Sequence, residues 1–245
     1  MRCIDQVHVS FMKLSSSQIS AIRALIIDLD GTMLDTAPDF LAAINRMRAD
    51  FQLPPLDLQT VTDFVGKGSE NLIMRVLAED FSEDELQAHF PLAMERYQHH
   101  YLAINGDFST LYEGVFEGLL ALKNLGMRLA CVTNKPIAFT EPLLAKKNLK
   151  QFFEVVYGGD SFTRKKPDPL PLTEACRYFG LAPEQVLAIG DSSNDARAAR
   201  AAGCPVLVVP YGYNHGEAVQ TIESDGIVAS LLEVAEILVK QNRTN

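Results

Sequence analysis

The stretch from Ala24 to Asp35, ALIIDLDGTMLD, ends an apolar run in acids: Asp28 and Asp30, then Gly31, Thr32 and a third carboxylate at Asp35. Side chains alternate along a strand, so Asp28 and Asp30 share a face if the strand persists that far. Two other apolar runs also end in polar groups, at Thr133-Asn134-Lys135 and at Asp191. Carboxylates brought together repel one another, and stay ionised only beside a compensating cation. Hard oxygen ligands suit Mg²⁺, which keeps several waters and takes few carboxylates plus a phosphate. The chemistry indicated is therefore that of a phosphate. An isolated D-x-D also fits a turn or a helix cap. A calcium loop fits poorly, because its pattern wants an acid or amide before the glycine and a helix upstream.

Elements that could position these groups are legible. Five runs read as buried parallel strands: 24–30, 128–134, 154–160, 185–191 and 205–211. Each is almost continuously apolar, as a sheet covered on both faces requires. Helical patterns separate the last four, giving repeated βα units. Ligand sites in such sheets form at the carboxyl ends of strands, where these polar residues fall. The run SSNDARAARAAG reads as a helix closed by Gly203, and SLLEVAEILVK as an amphipathic helix packing on the sheet. Between about Thr36 and Leu111 the patterns are helical. One helix opens with a capping box, Ser82 and Glu85, and is expected to break or kink near Pro91. That stretch is too long for an ordinary crossover. The expected organisation is a loose extension over 1–20, an α/β core over 21–36 and 111–245, and an inserted helical cap over 37–110.

Bulk properties narrow the function classes. The 245 residues are 47% hydrophobic, enough for a substantial core. No apolar run approaches the roughly 18 residues of a membrane helix. The formal net charge of −9 argues against a nucleic-acid surface. It is compatible with an anionic substrate, since a metal ion and placed lysines reverse the sign locally. The four cysteines are scattered without a C-x-x-C pair and read as buried reduced thiols, pointing to the cytoplasm. The first twenty residues lack the sustained apolar stretch of a secretory signal.

Four motifs in order, DLDGTMLD, TNK, KKPDP and GDSSND, resemble the haloacid dehalogenase superfamily over about residues 24–211. The resemblance implies a doubly wound, Rossmann-like parallel sheet with a helical cap inserted after the first motif. It implies Asp28 as the nucleophile that forms an aspartyl-phosphate, and Asp30 as general acid and then base. It implies a Mg²⁺ ion on Asp28, Asp191 and the backbone carbonyl of Asp30, with Asp195 in support. Thr133 and Lys166 match the hydroxyl and the cation at the phosphoryl group. Backbone N–H groups of the loops at Gly31, Thr32 and Asn134 would face the phosphate. Lys165 reads as a surface charge, Lys135 as facing either the site or solvent, and Asp35 as structural support.

Within that family, TAPDF, VGKGSENL and YGYNHG look most like bacterial phosphatases acting on 2-phosphoglycolate. Its carboxylate wants a positive group on the cap side, and Lys67, between two glycines, is the candidate. Replacing Lys67 by alanine is then expected to raise KM for phosphoglycolate while sparing neutral-leaving-group esters. Other readings are a sugar-phosphate phosphatase, such as one for N-acetylmuramic acid 6-phosphate, a sugar phosphomutase, a phospho-accepting signalling module and a structural Mg²⁺-binding protein. The adjacent His99 and His100 point in different directions on a helix and make a poor metal site. The oligomeric state is open between monomer and homodimer.

Overall fold

The computed structural model describes residues 12–214 and 216–242. After a short helix α1 (Ser16–Ala21), strand β1 (Ala24–Ile27) enters the sheet and β2 (Leu34–Asp35) leaves the loop beyond it. Helices α2 (Ala37–Asp50), α3 (Leu58–Phe64), α4 (Ser69–Leu77) and α5 (Glu83–Ile104) form the insertion, and β3 (Thr110–Leu111) closes it. Then follow α6 (Val115–Asn124), β4 (Arg128–Val132), α7 (Ile137–Lys146), β5 (Val155–Tyr157) and α8 (Leu170–Phe179). The chain ends with β6 (Val186–Gly190), α9 (Ser193–Ala202), β7 (Val206–Val208), β8 (Gly226–Ile227) and α10 (Leu231–Asn242).

The six-stranded sheet has the order β5-β4-β1-β6-β7-β8, all parallel. From β1 the chain first builds outward through β4 and β5, then returns to the other side through β6. That reversal puts the topological switch point at the carboxyl end of β1. The expected doubly wound α/β class is the one found.

Alternation along the strands separates two cores. Leu25 and Ile27, Leu129 and Cys131, and Leu187 and Ile189 join the cluster containing Leu119 of α6, Leu143 of α7, and Leu231 and Leu238 of α10. Ala24 and Ile26, Ala130 and Val132, and Val186 and Ala188 meet α8 and the alanines of α9. Helix α9 packs its alanines, Ala196, Ala198 and Ala199, on β6 and β7, while α8 covers β4 and β1 on the same face. The insertion has its own cluster around Ile44, Met47, Ile73, Tyr97 and Tyr101. Phe139 and Tyr213 of the sheet domain join it.

Several expectations need correction. The strands are shorter than the apolar runs, and β1 stops at Ile27. The amide N–H groups of Met33 and Leu34 both donate to the carbonyl of Leu29, which turns the chain out of the sheet. A sixth strand, β8, was not legible, because two edge residues carry no periodicity. The chain enters and leaves the insertion side by side, through an antiparallel pair of Leu34 with Leu111 and Asp35 with Thr110. Helix α5 runs through Pro91 without a break. Pro91 lies on the exposed face, where water can serve the carbonyl that its missing N–H leaves free.

Of the expected loose extension, residues 1–11 lie outside the described residues. Residues 12–20 are tied down: Met12 bridges to Gly226, and the Lys13 amide donates to the carbonyl of Asp225. Ser15 and Gln18 form a capping box at the start of α1.

Candidate active site

Register brings the polar residues together. Ile27 pairs with Cys131 on one side and Ile189 on the other. The residues that leave these strands, Asp28, Thr133 and Asp191, therefore emerge around one crevice. The amide of Asp28 still donates to the carbonyl of Ile189, so this side chain is fixed by the sheet ladder. Asp30 reaches the crevice from the loop, not by strand alternation. Its Oδ1 accepts from Thr36 Oγ1 at 2.7 Å and from Lys135 Nζ at 3.0 Å.

One cavity is lined by Asp28, Asp30, Thr133, Lys135, Lys166 and Asp191 from the sheet side, and by Phe40, Gly66, Ser69 and Leu72 from the insertion. Its volume is about 40 Å³, room for the centres of a few waters.

Lys166 is buried beside the acids. Its Nζ forms ion pairs with Asp28 Oδ1 at 2.8 Å and Asp195 Oδ1 at 2.6 Å, and donates to the carbonyl of Val132 at 2.7 Å. Burial would lower this lysine, but Asp195 and Asp28 outweigh it and hold the ammonium charged. Burial pushes the Asp28 carboxyl up to about 7; Lys166 pulls it down, while Asp195 and Asp30 add to the rise. Asp191 is driven well above the usual carboxylate range by burial, then by Asp195 and Asp28. Excess negative charge held away from water is what a bound cation relieves.

Asp28, Asp191 and Asp195 each offer a carboxylate oxygen within 4.8 Å of the others. An all-oxygen donor set suits a hard divalent cation. Asp195 is the most committed of the three. Its Oδ2 accepts from the amide and hydroxyl of Ser192 at the start of α9, and its Oδ1 faces Lys166. It fits a supporting role. Asp191 accepts from Thr32 Oγ1 at 3.1 Å and from the Tyr213 amide at 2.6 Å. It sits between Gly31 and Gly212: a Cβ on either would come within 2.3 Å of an Asp191 side-chain atom. Among the described residues no N–H donates to the carbonyl of Asp30, which is free to face a metal.

The amides of Gly31 and Thr32 turn inward, to the carbonyls of Leu34 and Leu29. These two residues shape the seat of Asp191. The N–H groups of Leu29, Asp30 and Asn134 have no protein acceptor among the described residues and remain available to an anion. Thr133 Oγ1 accepts from the Lys135 amide at 3.2 Å, leaving its hydroxyl proton free to donate. The Asn134 side chain clamps instead, donating to the carbonyls of Lys166 and Gly66.

The clamp on Gly66 shows how the insertion seats. Asn194 Nδ2 donates to the same carbonyl at 3.2 Å. Lys165 Nζ pairs with Glu70 Oε2 at 3.4 Å across the seam, so Lys165 is not a plain surface charge. Gly66 and Gly68 both have positive φ and carry the loop over the cavity. Lys67 between them is exposed, and the lining passes from Gly66 to Gly68 without it.

Tyr213 carries a role that sequence reading missed. Its hydroxyl donates to Asp35 Oδ1 at 2.5 Å and accepts from the amides of Thr36 and Ala37 at 2.6 and 2.9 Å. That exhausts one donor and two lone pairs. Through its amide on Asp191, the same residue joins the acidic site to the entry of the insertion. A tyrosine in a loop after the fifth apolar run gives no local signal of this. Asp35 supports the hinge, in line with its structural reading.

The family model for haloacid dehalogenase-like hydrolases matches residues 25–209. A phosphoglycolate phosphatase of Thiobacillus denitrificans is 46% identical over 219 residues, covering 89% of this chain and 96% of that protein. One from Nitrosospira multiformis is 46% identical, covering 90% and 97%. The crystal structure of a predicted phosphoglycolate phosphatase from Haemophilus somnus superposes with a TM-score of 0.83 at 34% identity, covering 89% and 98%.

Proposed function

The chain belongs to the haloacid dehalogenase-like hydrolase family, and we propose that it is a Mg²⁺-dependent phosphatase that hydrolyses 2-phosphoglycolate to glycolate and phosphate. The observation that carries the chemistry is the division of acids at the switch point. Asp28 pairs with Lys166, and Asp30 pairs with Lys135, whose ammonium lies against Phe40 and Tyr101 of the insertion. One acid is thus placed to attack phosphorus and the other to serve the leaving oxygen.

Asp28 attacks the phosphoryl group and forms an aspartyl-phosphate. Asp30 gives its proton to the departing alkoxide, then takes one from the water that attacks the intermediate. Lys166, the Thr133 hydroxyl and the N–H groups of Leu29, Asp30 and Asn134 hold the phosphoryl oxygens, where charge grows in the transition state. Asp28, Asp191 and the Asp30 carbonyl would hold Mg²⁺, which supplies charge neutralisation at the phosphate. Helices α2 to α5 close over the leaving group and exclude water.

The substrate reading rests on the relatives named phosphoglycolate phosphatase. Three described cysteines are free thiols, in keeping with the cytoplasm. No described helix is long and apolar enough to cross a membrane. The test is phosphate release from 2-phosphoglycolate with Mg²⁺, beside a panel of sugar phosphates. A kcat/KM for phosphoglycolate at least about tenfold above every sugar phosphate is expected, a modest ratio for a site that reads polar groups. Preference for a sugar phosphate would refute the substrate.

A further inference from the structure

Two lysines are buried in the cavity, and their surroundings differ. Lys166 is surrounded by Asp28, Asp195 and the carbonyl of Val132, all within 2.8 Å of its Nζ. Lys135 also leaves the carboxyl end of β4, and its side chain is only 2% exposed. Its Nζ reaches one carboxylate, Asp30, at 3.0 Å to Oδ1 and 3.4 Å to Oδ2. No other acceptor takes its ammonium among the described residues. The faces of Phe40 and Tyr101, both from the insertion, flank it at 4.3 and 4.7 Å from the ring centroids. Rings attract a cation but do not replace strong hydrogen-bond acceptors. A buried ammonium with donors to spare, at the wall of a cavity, is arranged for an anion that the protein does not itself provide.

We propose that Lys135 recognises the carboxylate of the leaving group, and so sets the substrate class as small phosphate monoesters bearing a carboxylate next to the ester carbon. This rests on the phosphatase reading above. The position follows from Asp30. The acid that protonates the leaving oxygen touches Lys135, so a group two bonds from that oxygen lies beside the same ammonium. Charge points the same way. A substrate carboxylate held at this buried wall needs a cation beside it, and Lys135 is the cation there. Lys67, the other basic candidate for this role, lies outside the lining. The ring clamp also explains why recognition needs the insertion in place: open, the insertion would carry Phe40 and Tyr101 away and leave the ammonium to water.

The experiment compares kcat/KM for 2-phosphoglycolate and 2-hydroxyethyl phosphate, which lacks the carboxylate, in the Mg²⁺-loaded wild type and K135M. Wild type is expected to favour phosphoglycolate by about 10²-fold or more, as sites built to bond a polar group do. K135M is expected to cut that ratio by about 30-fold or more, and K135R to restore part of it. Equal losses on both esters, with the ratio kept, would show that Lys135 acts only through Asp30 and would overturn the inference. Wild-type indifference to the carboxylate would overturn the inference and the substrate reading together. If K135M does not fold, K135Q, which still donates to Asp30, is read by the same ratio.

Discussion

The sheet domain and the helical insertion solve the same problem by different means. At the sheet, backbone register does the positioning: Ile27 pairs with Cys131 and Ile189, so the next residues of three strands meet without help from their side chains. The insertion has no such ladder to the sheet. It is seated by side-chain contacts, through Phe139 and Tyr213 in its core, the amides of Asn134 and Asn194 on Gly66, and Lys135 between two of its rings. The difference teaches where each property resides. Chemistry belongs to the rigid strand ends. On the reading proposed above, substrate choice belongs to the seam.

The largest expected effect strikes the sheet side. Asp28→Asn should lower kcat by on the order of 10⁴ or more while keeping the fold, because an amide is a poor nucleophile. Steady-state kinetics with circular dichroism checks this, and wild-type-like turnover would break the comparison at its core.

Removing metal comes next. Chelation should abolish turnover, and Mg²⁺ should restore it. The pH dependence has a definite sign. The metal binds carboxylates, and burial pushes Asp28 up to about 7, so protons compete below that pH. Raising the pH removes the proton and strengthens binding. Calorimetry should show Mg²⁺ affinity rising with pH by about tenfold per unit for each carboxylate that must lose a proton, with Asp28 completing its part near 7. An affinity flat from pH 5 to 8 would contradict this charge account.

Tyr213 joins the two regions and tests their coupling. Tyr213→Phe leaves two buried backbone N–H groups and one Asp35 oxygen without partners, at about 1–3 kcal/mol per group. Thermal stability should fall, and kcat/KM should drop about tenfold, consistent with misplacement at the hinge. Unchanged kinetics would show that the insertion closes independently of this link.

The smallest effect is expected at Lys67. Lys67→Ala should alter kcat/KM for phosphoglycolate by less than about threefold, as for a surface charge. A rise in KM specific to phosphoglycolate would return substrate recognition to the loop over the cavity.

These regions also differ in how far the sequence disclosed them. The sheet was readable because its signals are local: an apolar run, then an acid or threonine, repeated at β1, β4 and β6. The helices of the insertion were readable from their apolar stripes and from the capping box at Ser82. The seam was not. Lys67 looked like the better anion-binding lysine because glycines flank it, yet those glycines serve a turn that leaves it exposed. Lys135 could have faced either way, since what buries it is Phe40 and Tyr101, 95 and 34 residues distant in sequence. Tyr213 stood out only as part of YGYNHG and received no role, because its partners, Asp35 and Asp191, are joined only by the fold. The loop at Gly31 and Thr32 was assigned to the phosphate, whereas hydrogen bonds within the turn direct those amides inward.

The most direct test is to trap the intermediate. Wild-type protein with Mg²⁺ and 2-phosphoglycolate is quenched in acid within a single turnover, and its peptides are examined by mass spectrometry. The expected result is a phosphoryl group on the peptide containing Asp28, absent from Asp28→Asn. Rapid phosphate release with Asp28 never modified, or a phosphoryl group on another residue, would contradict the account.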